Sequence, residues 1–279
     1  MKKYMFLMLV VLLFLSTMPL SVSAQSLYKE NEVLLKLNNG YVLYSDQTMP
    51  YVDKNNRTLI PLRMIGDLLG AEVKWDDKKK EAEVGYNKVK VNFTEGKKYF
   101  SKNGETVKMD TSVTIKDGTI MIPLRYIAEA FEMTLHWDKI NRVVELIHPN
   151  LLSTKAFSHF DEMENRDDTF EGQFIPVKVE FVKGKTSDEN KLLVSVRNTS
   201  TTTIEAEHMH RNARFYSDPN TEMGIDTHGY TASSGLTGIN EQDIPAGAVF
   251  VDTVSMKSLD TSFDKHIKYL IFNYFNTKQ

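Results

Sequence analysis

Hydrophobic positions recur with helical spacing in two short windows of this chain and with strand spacing almost everywhere else. Leu62, Ile65, Leu68 and Leu69 fall at i, i+3, i+6 and i+7, and Leu124, Ile127, Ala130 and Phe131 repeat that spacing. Each set predicts one buried face of a short helix. Behind each helix the pattern switches to period two, in Glu72-Val73-Lys74-Trp75 and in Thr134-Leu135-His136-Trp137. Polar turns at Asp76–Lys80 and Asp138–Asn141 then lead to second strands, Glu81–Tyr86 and Arg142–Ile147. Short apolar strands, Thr58–Ile60 and Thr119–Ile122, precede the helices, and Pro61 and Pro123 are expected at the first helical position, where a missing N–H costs nothing.

These two windows are one pattern written twice. Residues 59–76, LIPLRMIGDLLGAEVKWD, align without a gap to residues 121–138, MIPLRYIAEAFEMTLHWD. The shared residues are Ile60/Ile122, Pro61/Pro123, Leu62/Leu124, Arg63/Arg125, Ile65/Ile127, Trp75/Trp137 and Asp76/Asp138, and they include both tryptophans of the chain. The likeness extends to Asn39-Gly40 and Asn103-Gly104, dipeptides suited to tight hairpins. Gly70 suits the left-handed position after the first helix, where the second copy has Glu132. A unit of about sixty residues is small for an independent core. Two units, about 39–86 and 103–147, are therefore read as one α+β domain over residues 31–148.

The double pattern resembles the copper amine oxidase N-terminal-like domain, also called the stalk domain, over roughly residues 33–147. That resemblance implies a duplicated fold in an exported, Gram-positive setting and a non-catalytic appendage in the oxidases themselves. Amine oxidase activity is not expected. The quinone of those enzymes forms from a tyrosine in an Asn-Tyr-Asp/Glu context, whereas Asn273-Tyr274 is followed here by Phe275.

After Pro149 the text changes. Residues 149–172 read as an acidic linker, with six carboxylates between Asp161 and Glu171 and no calcium-loop phasing. From residue 173 onward the chain is β. Val177, Val179 and Phe181 alternate with polar residues, as do Leu192, Val194 and Val196, and Val249–Met256 and Ile267–Phe275 read as buried strands. Residues 173–279 are expected to form an immunoglobulin-like β-sandwich, and "VSVRNTSTT" and "IPAGAVFVDTVSM" resemble such modules of bacterial exported proteins. The fold class read is thus an α+β duplicated stalk-type domain followed by an all-β sandwich.

Composition adds the compartment. Lys2 and Lys3, the apolar run Met5–Leu15 and Val22-Ser23-Ala24 read as a signal peptide over residues 1–24. Its removal takes Lys2 and Lys3 with it and moves the formal net charge from −3 to −5. An acidic chain without a basic patch argues against nucleic acid. Absence of cysteine excludes disulfides, thiol catalysis and a lipid anchor on cysteine, and no later run is apolar enough to span a bilayer.

Candidate chemistry is sparse. Arg63 and Arg125 are expected to bond Asp76 and Asp138 or strand carbonyls, in preference to an anionic ligand. Trp75 and Trp137 are expected to anchor helix on hairpin, in preference to stacking a sugar ring. His208 and His210 would share one face of a strand, a spacing that metal sites use, with Glu222, Asp226 and His228 as distant partners. Solvated histidines are the preferred reading, so no metal, cofactor or catalytic residue is assigned. The expectation is a non-enzymatic protein, secreted or wall-associated, recognising a cell-wall polymer or an envelope protein. Two alternatives are a protease inhibitor acting through Ser217–Thr221 or Thr231–Gly238, and a metal-dependent enzyme using His208 and His210. A spacer without any ligand is a third.

Overall fold

The computed structural model describes residues 32–38, 40–44, 49–149, 166–167, 173–186, 189–204, 209–217, 234–235, 243–255 and 267–277. The expected signal peptide, His208, most of the acidic segment and most of the two proposed inhibitory loops lie outside these residues. What is described is mostly β, in several sheets, with two short helices.

At the centre is a four-stranded sheet of β3 (Tyr51–Val52), β4 (Thr58–Pro61), β10 (Thr114–Lys116) and β11 (Thr119–Pro123), in the order β10-β11-β4-β3. The order is palindromic in the repeat. Strands β4 and β11 are equivalent, and they pair antiparallel with Ile60 opposite Ile122, Pro61 opposite Met121 and Pro123 opposite Leu59. Each copy's isoleucine faces its own counterpart, so a pseudo-two-fold axis passes through that pair. The repeated I-P-L-R text is therefore the contact between the copies. It explains the prolines, which differ from expectation: Pro61 and Pro123 end these strands in extended conformation (ψ 129° and 116°) and cap the helices, one position before the first turn.

Helix one, Leu62–Leu69, and helix two, Leu124–Ala130, pack crosswise, the first against β11 and the second against β4. The predicted faces are buried, with Met64, Tyr126 and Ala128 added. Burying such faces supplies most of the stability of helices this short. Each helix feeds a hairpin: β5 (Glu72–Asp76) with β6 (Glu81–Tyr86), and β12 (Thr134–Asp138) with β13 (Val143–Ile147). The hairpin registers coincide between copies, Glu72 opposite Gly85 and Thr134 opposite Ile147.

Beyond the hairpins the copies diverge. Strand β6 continues into a meander of β7 (Val89–Thr94), β8 (Tyr99–Lys102) and β9 (Glu105–Lys108), of which the sequence reading had neither β7 nor β8. The β6–β7 turn, Asn87-Lys88, uses two non-glycine residues at positive φ, 46° and 67°, so it lacks the glycine signal of Asn103-Gly104. Strand β13 is extended instead by the chain's own start. β1 (Leu34–Leu37) pairs with it in parallel, and β2 (Gly40–Tyr44) follows β1. Gly40, expected in the β1–β2 turn, is instead already paired in β2 opposite Leu37, and Asn38 is at φ 45°. Asn38 also exchanges hydrogen bonds with the His148 backbone, donating to its carbonyl at 3.2 Å and accepting from its N–H at 3.0 Å.

The segment after 149 supplies β14 (Arg166–Asp167), β15 (Phe174–Val182), β16 (Lys191–Asn198), β17 (Met209–Ser217), β18 (Ser234–Gly235), β19 (Val249–Ser255) and β20 (Ile267–Thr277). Strands β15, β16 and β19 make one three-stranded sheet. Strand β20 pairs with β17 on one side and with β2 on the other, so one sheet runs from the second copy's hairpin into the C-terminal segment. Ile271 of β20 is fully buried in the same core as Val42, Ile60 and Ile122. Buried Asn198 ties the loops of the three-stranded sheet, its amide donating to the carbonyls of Thr202 (3.0 Å), Ile244 (2.9 Å) and Pro245 (3.1 Å). That satisfies a side chain that would be costly to bury alone.

Candidate functional site

The repeated aspartates close their own hairpins. Asp76 Oδ1 accepts from the N–H groups of Lys78 (3.0 Å) and Lys79 (3.1 Å). Asp138 Oδ1 accepts from Ile140 (2.9 Å) and Asn141 (3.0 Å), and its Oδ2 takes the Asn141 amide at 2.7 Å. Such bonds are what aspartate brings to a tight turn. Backbone donation, from Lys79 above all, holds the Asp76 carboxyl below its ordinary range. At Asp138 partial burial opposes ionisation, but the hydrogen bonds outweigh it and the carboxyl is again held low. The expected bonds from Arg63 and Arg125 to these acids are not formed. Each arginine follows the first buried leucine of its helix and so lies off the buried stripe at an exposed position.

The tryptophans part company. Trp75 is half-buried and packs against the core, as expected of an anchor, and Lys80 first and then the indole hold the neighbouring Asp77 carboxyl below its ordinary range. Trp137 is 41 % exposed, and Leu135, two residues earlier on the same face of β12, is 37 % exposed. The anchoring role expected of Trp137 is not what the structure gives it.

Trp137 instead lines a cleft of about 510 Å³ formed by both copies. The first copy contributes Val52, Asn56, Arg57 and Thr58 from the β3–β4 hairpin, and the second contributes Pro123 and Arg125 at the helix start with Leu135, Trp137 and Lys139 from its own hairpin. Three cations and an open indole thus share one concavity. Arg57 is neutralised in place, its Nε donating to Asp110 Oδ2 at 2.5 Å. Partial burial works to raise the Asp110 carboxyl. The bonds from Arg57 and from the Tyr126 hydroxyl (3.0 Å), with the fields of Arg57 and Arg125, overcome it and lower the pKa. Among the described residues Arg125 and Lys139 have no ion pair within contact distance.

The cleft's rim on the first-copy side is braced across the pseudo-axis. Asp53 accepts from the N–H groups of Asn55 (2.8 Å) and Arg57 (2.9 Å) and from the Thr111 hydroxyl of the second copy. Its partial burial is again outweighed by these bonds, so its pKa is lowered. The central sheet curls far enough that Tyr51 Oη of β3 lies 3.4 Å from Thr114 Oγ1 of β10, with Lys116 Nζ over the Tyr51 ring at 4.3 Å.

Of the residues singled out from sequence, Arg125, Trp137 and Pro123 meet in this cleft, whereas Arg63, Trp75, Asp76 and Asp138 do not line it. Arg57 and Lys139 were missed. Their signal lies in the differences between the copies: Lys139 stands where the first copy has Asp77, and Arg57 where the second has Thr119. His210 lies in β17, opposite Phe275 and Gly235. Among the described residues no group of three or more His, Asp or Glu is placed to hold a metal, and none of their helices is long and apolar enough to cross a membrane.

Residues 36–146 match the family model of the copper amine oxidase N-terminal domain, and that segment is such a domain, as its doubled I-P-L-R and W-D text indicates. No curated protein matches the chain.

Proposed function

We propose that this chain, with its copper amine oxidase N-terminal domain over residues 36–146, is a non-catalytic exported protein that binds at the bacterial cell envelope. In this reading residues 1–24 direct export, the duplicated α+β domain is the recognition unit, and the C-terminal β segment forms an immunoglobulin-like module continuous with it. The observation that carries the reading is the opening of the second copy. A residue that serves as a packing anchor in one copy is displayed to solvent in the other, inside a concavity that both copies build. Exposed aromatic and arginine side chains in a concavity are the groups that dominate recognition sites. The test is retention of the purified chain on isolated Gram-positive cell walls, alongside capture from the envelope protein fraction. Retention on either supports the reading, and loss of the protein to the flow-through in both would sink it.

A further inference from the structure

The copies differ in charge at the outer end of the hairpin, and the difference selects a ligand. In the first copy Asp77 pairs with Lys80 Nζ at 2.7 Å and lies close enough to the Trp75 indole for both Lys80 and the indole to hold its carboxyl low. In the second copy the equivalent of Asp77 is Lys139. The acid that would occupy the indole end is replaced by a cation, and Trp137 is left open beside Arg125. Asp110 already holds Arg57, and Asp138 is committed to its turn. Arg125 and Lys139 thus form no ion pair among the described residues, and the cleft carries a local excess of positive charge on a chain whose net charge is −3. Charge of one sign lining a cleft focuses its field on whatever enters.

We propose that this cleft binds an anionic sugar polymer, one ring lying on the Trp137 indole and a carboxylate or phosphate substituent held by Arg125 and Lys139. The proposal rests on the envelope-binding reading and names its ligand class. A flat indole edged by Leu135 suits the apolar face of a sugar ring. Asn56 and Thr58 on the facing wall offer amide and hydroxyl groups to ring hydroxyls. Arg125 can engage a planar carboxylate or a phosphate through two N–H groups, while Lys139 acts as a point charge. An acidic peptide would satisfy the cations but not use the open indole face. A nucleic-acid strand would want a series of aromatic platforms along a cationic track.

The experiment uses the full mature chain with Trp75→Phe, which leaves Trp137 as the sole tryptophan for selective excitation, and calorimetry on the unaltered chain gives the same answer should that variant fold poorly. The ligands are polygalacturonate, a poly(glycerol phosphate) bearing sugars, neutral dextran, poly-aspartate and an oligothymidylate. The expected result is a change in Trp137 emission with one or both anionic glycans and none with dextran. Lys139→Asp and Arg125→Gln, both at exposed positions, should each weaken binding at least tenfold, and added salt should weaken it further. Which glycan responds distinguishes a carboxylate from a phosphate ligand. Undiminished binding by Lys139→Asp, or equal or tighter binding of poly-aspartate or oligothymidylate, overturns the proposal. If the chain is retained on walls but Lys139→Asp is retained equally, this site falls and the envelope reading stands. Loss of wall retention by the unaltered chain removes the reading itself.

Discussion

In the first copy Trp75 packs against the core beside Asp77; in the second, Trp137 stands 41 % exposed in a cleft with Arg125 and Lys139. The hairpins that carry them share one register, and the helices before them bury equivalent faces. The copies keep Ile60 against Ile122, the two prolines, the leucines that begin the helices and the Trp-Asp pair before each hairpin turn. What they vary is the residue after that aspartate, Asp77 against Lys139, and the strands flanking the hairpin. Duplication here divides the labour, because one copy can open only if the other holds the shared core.

The sharpest way to break that view is at the axis. Ile60 and Ile122 are both fully buried, so Ile60→Ala and Ile122→Ala should each cost about 2–5 kcal/mol of unfolding free energy. The two losses should also be close to one another. Denaturant titrations would measure both, and a cost at one site under half that at the other would deny the equivalence of the copies.

The next largest effect should separate the tryptophans. Trp75→Ala removes a half-buried ring from the core and should cost about 2–3 kcal/mol, short of the full penalty for a buried aromatic. Trp137→Ala, with more of its ring already in solvent, should cost less, about 1–2 kcal/mol. Equal losses by thermal unfolding would mean that Trp137 is an anchor after all.

This asymmetry is where the sequence stopped being legible. The helices, the hairpins and the two-copy domain follow from apolar spacing and from an eighteen-residue self-match, because buried faces must be periodic. The parallel β1–β13 pair and the seating of β20 on β2 do not follow. Both join segments more than a hundred residues apart in sequence, and nothing local encodes the partner of an apolar strand such as Ile267–Thr277. The cleft was half legible. Arg125 and Trp137 stood out because they repeat, yet their repetition pointed to structure. The informative residues were the unrepeated ones, Lys139 against Asp77 and Arg57 against Thr119, and Asp53 drew no notice although it braces the rim.

Asp53 supplies a smaller and pH-dependent contrast. The first copy closes its β3–β4 loop through this carboxylate, whereas the second uses the two-residue turn Asp117-Gly118, at φ 50° and 75°, with no carboxylate bond to backbone among its described hydrogen bonds. The native pKa of Asp53 is lowered, so its contribution is fully present above the unfolded value of about 3.9 and is lost as pH falls through the native value. Asp53→Asn should therefore flatten the acid limb of the stability curve below about pH 4. Asp117→Asn should leave that limb unchanged. Matched acid denaturation curves would check both, and a steep limb surviving in Asp53→Asn would remove Asp53 from the brace.

The smallest effect is the most diagnostic, because it changes sign between the copies. Gly70 caps the first helix at φ 69°, its N–H bonded to the Gly66 carbonyl at 3.1 Å. Glu132 holds the same left-handed conformation at φ 59° behind the second helix, where the Met133 N–H reaches the Ala128 carbonyl at 2.8 Å. A side chain at positive φ is crowded against its own carbonyl, and glycine is not. Gly70→Ala should thus destabilise by about 1 kcal/mol. Glu132→Gly should stabilise by something under that, since the strain it relieves is partly offset by the freedom glycine adds to the unfolded chain. Both positions are exposed, so packing does not confuse the sign. Two melting curves decide it: a shift of both variants in the same direction would mean that the helix ends are not equivalent, and the correspondence of the copies would then stop at the hairpin registers.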